Sequence, residues 1–247
     1  MKQLTIFFLI LFSLPVVHAQ DAAEILRKME DVMRGESSYA EMSMKIVRPR
    51  YEREISLRSW HIGTDYSMIL ITAPSRDRGS AFLMRKNDIW SYDPRIDRTT
   101  RMPSSMMAQS WMGSDFTNDD LVRDSDIIDD YEHKVLRTEE YEGRECYVLE
   151  LIPKPGTPIV WGKVLMWVTT DNYLQLRIEQ YDQRDRLVNT LKLDEIKTFD
   201  GREVPSRFTV IPAGKENHRT ILTYQKLEFD IDINESFFSQ ENMLRLD

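Results

Sequence analysis

Histidines, and a serine that stands beside an aspartate, are the side chains of this sequence most suited to chemistry. The histidines after the apolar N-terminal segment are His61, His133 and His218, and none has a second histidine or a cysteine at zinc-ligand spacing. Ser114 precedes Asp115, but no histidine lies near it in sequence, and a serine nucleophile needs a positioned base. The sequence also carries no phosphate loop, dinucleotide fingerprint or Gly-x-Ser-x-Gly elbow. We therefore expect neither a catalytic site nor a cofactor.

An acidic stretch over residues 118–130 offers the oxygen ligands that calcium prefers. Its candidate ligands are Asp124, Asp126, Asp129 and Asp130. However, the stretch has no glycine at the turn position and no glutamate at the loop end, so it does not fit the EF-hand spacing. We interpret it as a solvated loop whose charges favour solubility, and we predict no metal site.

The first twenty residues have the layout of a secretory signal peptide. Lys2 supplies a positive charge, residues 4–14 are almost unbroken apolar sequence, and small residues precede position 20. An apolar run of about a dozen residues is too short to span a bilayer core of about 30 Å. We predict cleavage after Ala19, so the exported chain comprises residues 20–247 as a single domain outside the cytoplasm.

Charge and cysteine content narrow the class of protein further. The formal net charge is −8, which argues against nucleic acid as a partner and against an electrostatic hold on anionic lipid headgroups. Cys146 is the only cysteine, so an exported form has no internal disulfide and depends on its hydrophobic core for stability.

A short helix opens the exported chain, and strands dominate the rest. Over residues 21–35 apolar side chains recur at helical spacing until Gly35, which predicts a helix packed on a sheet. From residue 41 the period switches to two: Met42 and Met44 alternate with polar neighbours. Turn signals separate about eleven strands in all. Successive antiparallel hairpins of this kind indicate one strongly curved sheet or open barrel.

The segment between the two runs of strands, residues 103–130, differs from both. Met106, Met107, Trp111 and Phe116 lie in a stretch with almost no charge before position 115. Helical spacing would place the first three on one face. Two interpretations remain open: an ordinary core helix, or a movable lid over a cavity.

Several motifs together resemble a known family. The block from Trp111 to Leu121 reads WMGSDFTNDDL, and it joins the export signal, the early helix, the Met42-Ser43-Met44 strand and the C-terminal sequence DINESFF at 232–238. These features resemble the outer-membrane lipoprotein-sorting protein family, relatives of the periplasmic lipoprotein carrier LolA. The resemblance covers essentially the whole exported chain. It implies an incomplete antiparallel β-barrel with an N-terminal helix, a helical lid insert and an apolar pocket for acyl chains.

The resemblance implies a periplasmic, non-enzymatic carrier of lipid or lipoprotein acyl chains, working toward the outer membrane. Its partners would be those chains and an inner-membrane exporter or outer-membrane acceptor, with only transient membrane contact and no nucleic acid. Methionine suits such a pocket because its flexible side chain accepts variable apolar partners. Two alternatives remain: an interaction module of the same fold, either an envelope-stress sensor or a membrane-exporter accessory protein, and a hydrolase of an apolar substrate. The residues predicted to form the pocket and lid are Met42, Met44, Met68, Met84, Trp90, Met106, Met107, Trp111 and Phe116.

Overall fold

A computed structural model describes residues 21–123 and 127–246, except for the side chain of residue 123. The predicted signal peptide lies outside these residues, as do Asp124 and Asp126. The predicted helix is confirmed as α1, Ala22–Met33, whose first turn is capped by the Asp21 carboxylate accepting from the Ala23 amide at 3.1 Å. None of the described helices is long and apolar enough to cross a membrane.

Within the described residues, thirteen antiparallel strands form one open sheet. The strands are β1 Ser37–Arg48, β2 Tyr51–Ile62, β3 Tyr66–Ala73, β4 Ala81–Arg85, β5 Asp88–Asp93, β6 Arg98–Arg101, β7 Tyr131–Tyr141, β8 Arg144–Pro153, β9 Lys163–Thr169, β10 Gln175–Tyr181, β11 Leu187–Phe199, β12 Arg202–Pro212 and β13 Arg219–Phe229. A short helix, α2 Gln240–Met243, lies near the C-terminus. The predicted fold class, an incomplete antiparallel barrel, is confirmed, with thirteen strands rather than about eleven.

The strand order explains the place of the insert. Strands β1 to β6 run outward to one edge, the chain then crosses to β7 at the opposite edge, and β7 to β13 return until β13 pairs with β1. The two edge strands, β6 and β7, are therefore consecutive in sequence. The segment that joins them, residues 102–130, links the two edges of the open sheet.

Alternation along the strands separates two faces. Met42 and Met44 of β1 pair with Leu57 and Ile55 of β2, and these four side chains belong to one hydrophobic cluster. We call their side of the sheet the cavity face. On the opposite side, the outer face, side chains of β3 and β4 pack against the C-terminal segment. Strand β3 is buried along most of its length because both of its faces are covered.

The insert is folded as short turns where the sequence suggested a longer helix. Helical turns occupy Ser104–Met106, Trp111–Gly113 and Asp119–Arg123, and Ser110 forms an isolated antiparallel bridge with Thr117. Met112 and Gly113 have φ values of +49° and +81°, a left-handed conformation that ends helical propagation at this point. Met106, Met107 and Trp111 therefore do not share one continuous helix.

Candidate functional site

A cavity of ≈ 340 Å³ lies between the cavity face, α1 and the insert. Its floor comes from β1 and β2, where Met42, Met44 and Leu57 face inward, and from β13 through Leu222 and Leu227. Their common orientation follows from register, because Met42 is opposite Leu57 on one side and Tyr224 on the other. Volumes of this size fall at the small end of ligand pockets, about 300–1,000 Å³.

The insert supplies the roof through two aromatic side chains. Trp111 is fully buried, lines the cavity, and stacks at a tilt on Phe82 of β4 with a centroid separation of 5.4 Å. Phe116, also buried, lines the cavity beside it. Both belong to the hydrophobic cluster of the floor, so roof and floor form one apolar enclosure.

The far wall comes from elements that the sequence did not assign to a pocket. Met29 and Met33 of α1 line the cavity, as do Val164 and Met166 of β9 and Ile178 of β10. Met166 and Ile178 are directly paired, which places them on the same face. The helical stripe of α1 and the alternation of residues 163–181 were visible in the sequence. Neither pattern, however, shows that these residues face one cavity, because that depends on how strands distant in sequence pair.

One polar anchor fixes the insert to the last residue of β1, in the middle of the sheet. The Arg48 guanidinium donates to the Asp115 carboxylate at 2.9 Å and to the Gly113 carbonyl at 2.9 Å. The Thr220 hydroxyl donates to the same carboxylate at 2.7 Å and accepts from the Asp115 amide at 2.9 Å. The Arg48 and Asp115 side chains are only 11% and 7% exposed, so this ion pair is largely shielded from water. We call these contacts the Asp115 anchor.

A second arginine supports the same part of the insert. Arg53 of β2 donates to the Met112 carbonyl at 3.0 Å and to the Asp77 carboxylate at 2.7 Å. Because Met112 is the residue in the left-handed conformation, Arg53 stabilises the turn that presents Trp111 to the cavity.

A second anchor fixes the insert beside β9 and β10. The partly buried Asp120 carboxylate accepts from the Trp161 indole at 3.0 Å and from the Gln180 amide at 2.9 Å. It also accepts from the backbone amide and the hydroxyl of Thr117, at 2.7 and 2.8 Å. Burial raises the pKa of Asp120, while the hydrogen bonds from Thr117, Trp161 and Gln180 oppose that rise. These contacts form the Asp120 anchor.

The two anchors together explain the acidic residues Asp115 and Asp120 of the WMGSDFTNDDL block. Asp115 holds β1 and β13, whereas Asp120 holds β10 and the residues before β9. Between them, Phe116 projects into the cavity. The block is therefore a strap that runs from the middle of the sheet, at β1 and β13, to β10; Asp115 and Asp120 hold it there while Trp111 and Phe116 face the cavity.

The side chains suited to chemistry have structural partners. The Ser114 hydroxyl accepts from the Phe116 amide at 3.2 Å and donates to the Phe116 carbonyl at 3.3 Å. The His133 ring lies 3.0 Å from the carbonyls of Ile127 and Ile128. Burial raises the pKa of the Cys146 thiol to about 11, which suppresses the reactive thiolate. Over residues 21–123 and 127–246, no cluster of three or more His, Cys, Asp or Glu is arranged to hold a metal ion.

The structure places the nine predicted binding residues in three groups. Met42, Met44, Trp111 and Phe116 line the cavity. Met84, Met106 and Met107 pack in the same hydrophobic cluster but lie behind the lining.

Met68 and Trp90 form the third group, on the outer face. They belong to the cluster that contains Phe238, and both flank Leu83, as its partners on β3 and β5. This corrects the expectation that they contribute to the pocket. Met68 precedes Ile69, a cavity-lining residue, and successive side chains of a strand point to opposite faces.

Solved structures show where this fold occurs. An outer membrane lipoprotein-sorting protein domain from Vibrio parahaemolyticus matches with a TM-score of 0.81 and 24% identity, over 91% of this chain and 98% of that one. A DUF1329 family protein from Desulfovibrio piger matches with a TM-score of 0.80 and 26% identity, over 90% and 97%. A LolA superfamily protein from Nitrosomonas europaea matches with a TM-score of 0.78 and 25% identity, over 89% and 98%.

Sequence comparison adds one finding. A protein-family model described as "uncharacterized protein" matches residues 63–245, which is most of the chain. No curated protein matches the sequence. The chain is thus similar, over nearly its whole described length, to lipoprotein-sorting and LolA superfamily domains.

Proposed function

The chain belongs to the family whose model matches residues 63–245 and is similar to a LolA superfamily protein, and from that premise we propose that it is a non-enzymatic periplasmic carrier of an acyl chain. The cargo would be a lipid or lipoprotein, carried toward the outer membrane. The observation that supports this most directly is the cavity itself: a mainly apolar space of ≈ 340 Å³ whose floor, wall and roof come from different parts of the chain.

The energetics of an acyl chain favour such an enclosure. Burying one methylene group contributes about 0.8 kcal/mol, so a sixteen-carbon chain resists transfer into water by roughly 12 kcal/mol. A soluble carrier must offset most of that cost. Met29, Met33, Met42, Met44 and Met166 all line the cavity, and flexible methionine side chains can adapt to a chain without a fixed shape.

Release of the cargo requires the enclosure to open. In our proposal, the strap over residues 111–121 is the part that moves, because polar contacts at Asp115 and Asp120 attach it to the sheet. Opening at the Asp115 anchor would expose Trp111 and Phe116 to solvent or to a membrane. An inner-membrane exporter or an outer-membrane acceptor would then supply or receive the chain.

Filling the cavity tests this function. Ala40 of β1 lines the cavity and is 3% exposed, so Ala40→Phe places a ring where the acyl chain would lie. We expect the variant to lose uptake of a fluorescent acyl-chain probe. Lys45→Phe is the matched control because it adds the same ring at an exposed position of the same strand. Equal uptake by wild type and both folded variants would reject the cavity as the binding site.

A further inference from the structure

One end of the cavity is polar, and this end has a defined place in the sheet. Ser38 of β1 pairs with His61 of β2, and Ser59 lies two residues before His61 on the same face. All three line the cavity. Farther along β1 the lining continues as Ala40, Met42 and Met44. Polarity therefore changes along the cavity, and we call the part around Ser38, Ser59 and His61 the polar end.

The two serine hydroxyls at this end make no hydrogen bond within the described part of the chain. Ser38 and Ser59 are 6% and 2% exposed, and neither hydroxyl makes a hydrogen bond with any residue in the described ranges. Neighbouring buried serines differ: the Ser37 hydroxyl donates to the Ile231 carbonyl at 2.8 Å, and the Ser67 hydroxyl donates to the Val122 carbonyl at 3.1 Å. Because hydroxyls inside a protein normally find partners, these two are available to bind a polar group of a molecule held in the cavity.

The charges around the polar end argue for an uncharged group. Glu30 and Arg34 line the same cavity and bring one charge of each sign, while the two other acidic lining residues, Asp119 and Asp120, belong to the insert. They lie at the C-terminal end of α1, where the helix dipole is negative. An anionic head would face Glu30 and this dipole, whereas a cationic head would face Arg34. A neutral group that accepts and donates hydrogen bonds meets neither penalty.

We infer that the cargo is a single-chain amphiphile with a neutral acylglycerol-type head, an ester carbonyl with hydroxyl groups, bound by Ser38 and Ser59. This rests on the proposed carrier function and deepens it. The ester and hydroxyl oxygens occupy the polar end, and the hydrocarbon chain runs along Met42 and Met44. A cavity of ≈ 340 Å³ suits one chain better than several.

Competition binding with matched sixteen-carbon ligands tests the assignment. Full-length exported protein, freed of lipid, is loaded with a fluorescent single-chain probe, which is displaced by 1-palmitoylglycerol, palmitate or hexadecyltrimethylammonium. We expect 1-palmitoylglycerol to bind most tightly. Ser38→Ala/Ser59→Ala should weaken it about tenfold, because each lost neutral hydrogen bond costs roughly a few-fold in affinity. Its effect on displacement by the charged ligands should be smaller.

A matched pair of serines provides the control. Ser43 and Ser56 are directly paired on the same two strands, but their side chains alternate to the outer face. Ser43→Ala/Ser56→Ala should leave all three affinities unchanged, and thermal unfolding confirms that both double variants are folded. If all three ligands bind equally and the cavity serines have no effect, the head assignment is overturned while the carrier function stands. If wild type binds neither probe nor ligands, both fail.

Discussion

The buried ion pair of the Asp115 anchor allows a quantitative test of how the strap is held. Asp115→Ala leaves the Arg48 guanidinium, 11% exposed, without its carboxylate partner. Breaking a buried pair by removing one member costs about 3–5 kcal/mol of unfolding free energy. The Thr220 hydroxyl loses its acceptor in the same variant. We therefore expect Asp115→Ala to destabilise the protein by about 3–5 kcal/mol.

A double-mutant cycle separates the pair from general disruption. Arg48→Met should cost a similar amount, because it leaves the Asp115 carboxylate buried. Arg48→Met combined with Asp115→Leu removes both charges and should cost much less than the sum, a coupling of at least about 2 kcal/mol. Unfolding in urea with linear extrapolation measures each corner of the cycle.

An exposed pair on neighbouring strands is the control. Lys45 and Glu52 approach to 2.6 Å, but their side chains are 46% and 56% exposed. Glu52→Ala should cost no more than about 1 kcal/mol, since exposed ion pairs contribute little. Hydrogen exchange should also speed up over residues 111–121 in Asp115→Ala and stay unchanged in Glu52→Ala. Two results would refute our explanation of how the strap is held. One is an equal loss of unfolding free energy in Asp115→Ala and Glu52→Ala. The other is additive losses for the substitutions at Arg48 and Asp115.

Three further predictions concern single groups. Burial raises the pKa of Asp120 in the folded protein, so the native state binds this proton more tightly than the unfolded chain. The contribution of the Asp120 carboxyl to folding stability is therefore greatest below its unfolded pKa of about 4, and it falls as pH rises through the folded pKa. The unfolding free energy of wild type, measured relative to that of Asp120→Asn, should fall over the same pH range. A rise in that difference with pH would contradict the prediction. The Cys146 thiol, with its pKa raised to about 11, should react slowly with a thiol reagent at pH 8 until denaturant is added, and rapid native labelling would argue against its burial. Phe238→Ala should destabilise the protein by about 3–5 kcal/mol, because it removes packing on the outer face. The affinity of the folded variant for an acyl-chain probe should stay unchanged. A weaker affinity would show that the outer face affects the cavity.

The sequence predicts strand faces well only where one face is wet. Met42 and Met44 alternate with polar residues, and both line the cavity. Residues 66–71 are nearly all apolar, because β3 is covered on both sides, so alternation there cannot tell Met68 from Ile69. The C-terminal segment that covers the outer face is distant in sequence, and no local pattern reveals it.

For the insert, the sequence indicates the apolar content but not the shape, because long-range contacts determine the shape. Its apolar residues predicted a cover for the pocket, and Trp111 and Phe116 do line the cavity. The shape of the insert, however, depends on partners far along the chain, since Asp115 meets Arg48 and Thr220, and Asp120 meets Gln180. Helical spacing alone therefore suggested one helix where tertiary hydrogen bonds select short turns.

Local sequence patterns also do not predict the order of the strands in the sheet. The antiparallel hairpins were predicted from turn residues, but the pairing of β1 with β13 joins the two ends of the chain. That single pairing makes β6 and β7 the edges and sends the insert across the opening. The edge strands are also the most polar, which is why their alternation is weak in the sequence.

Native mass spectrometry of the protein purified from the cell envelope, followed by organic extraction, tests most directly whether the cavity carries an acyl chain. We predict one lipid molecule with a single long chain per protein, lost on unfolding and absent from Ala40→Phe. Recovery of a membrane protein with no lipid on the wild type would contradict the carrier account and favour an interaction module.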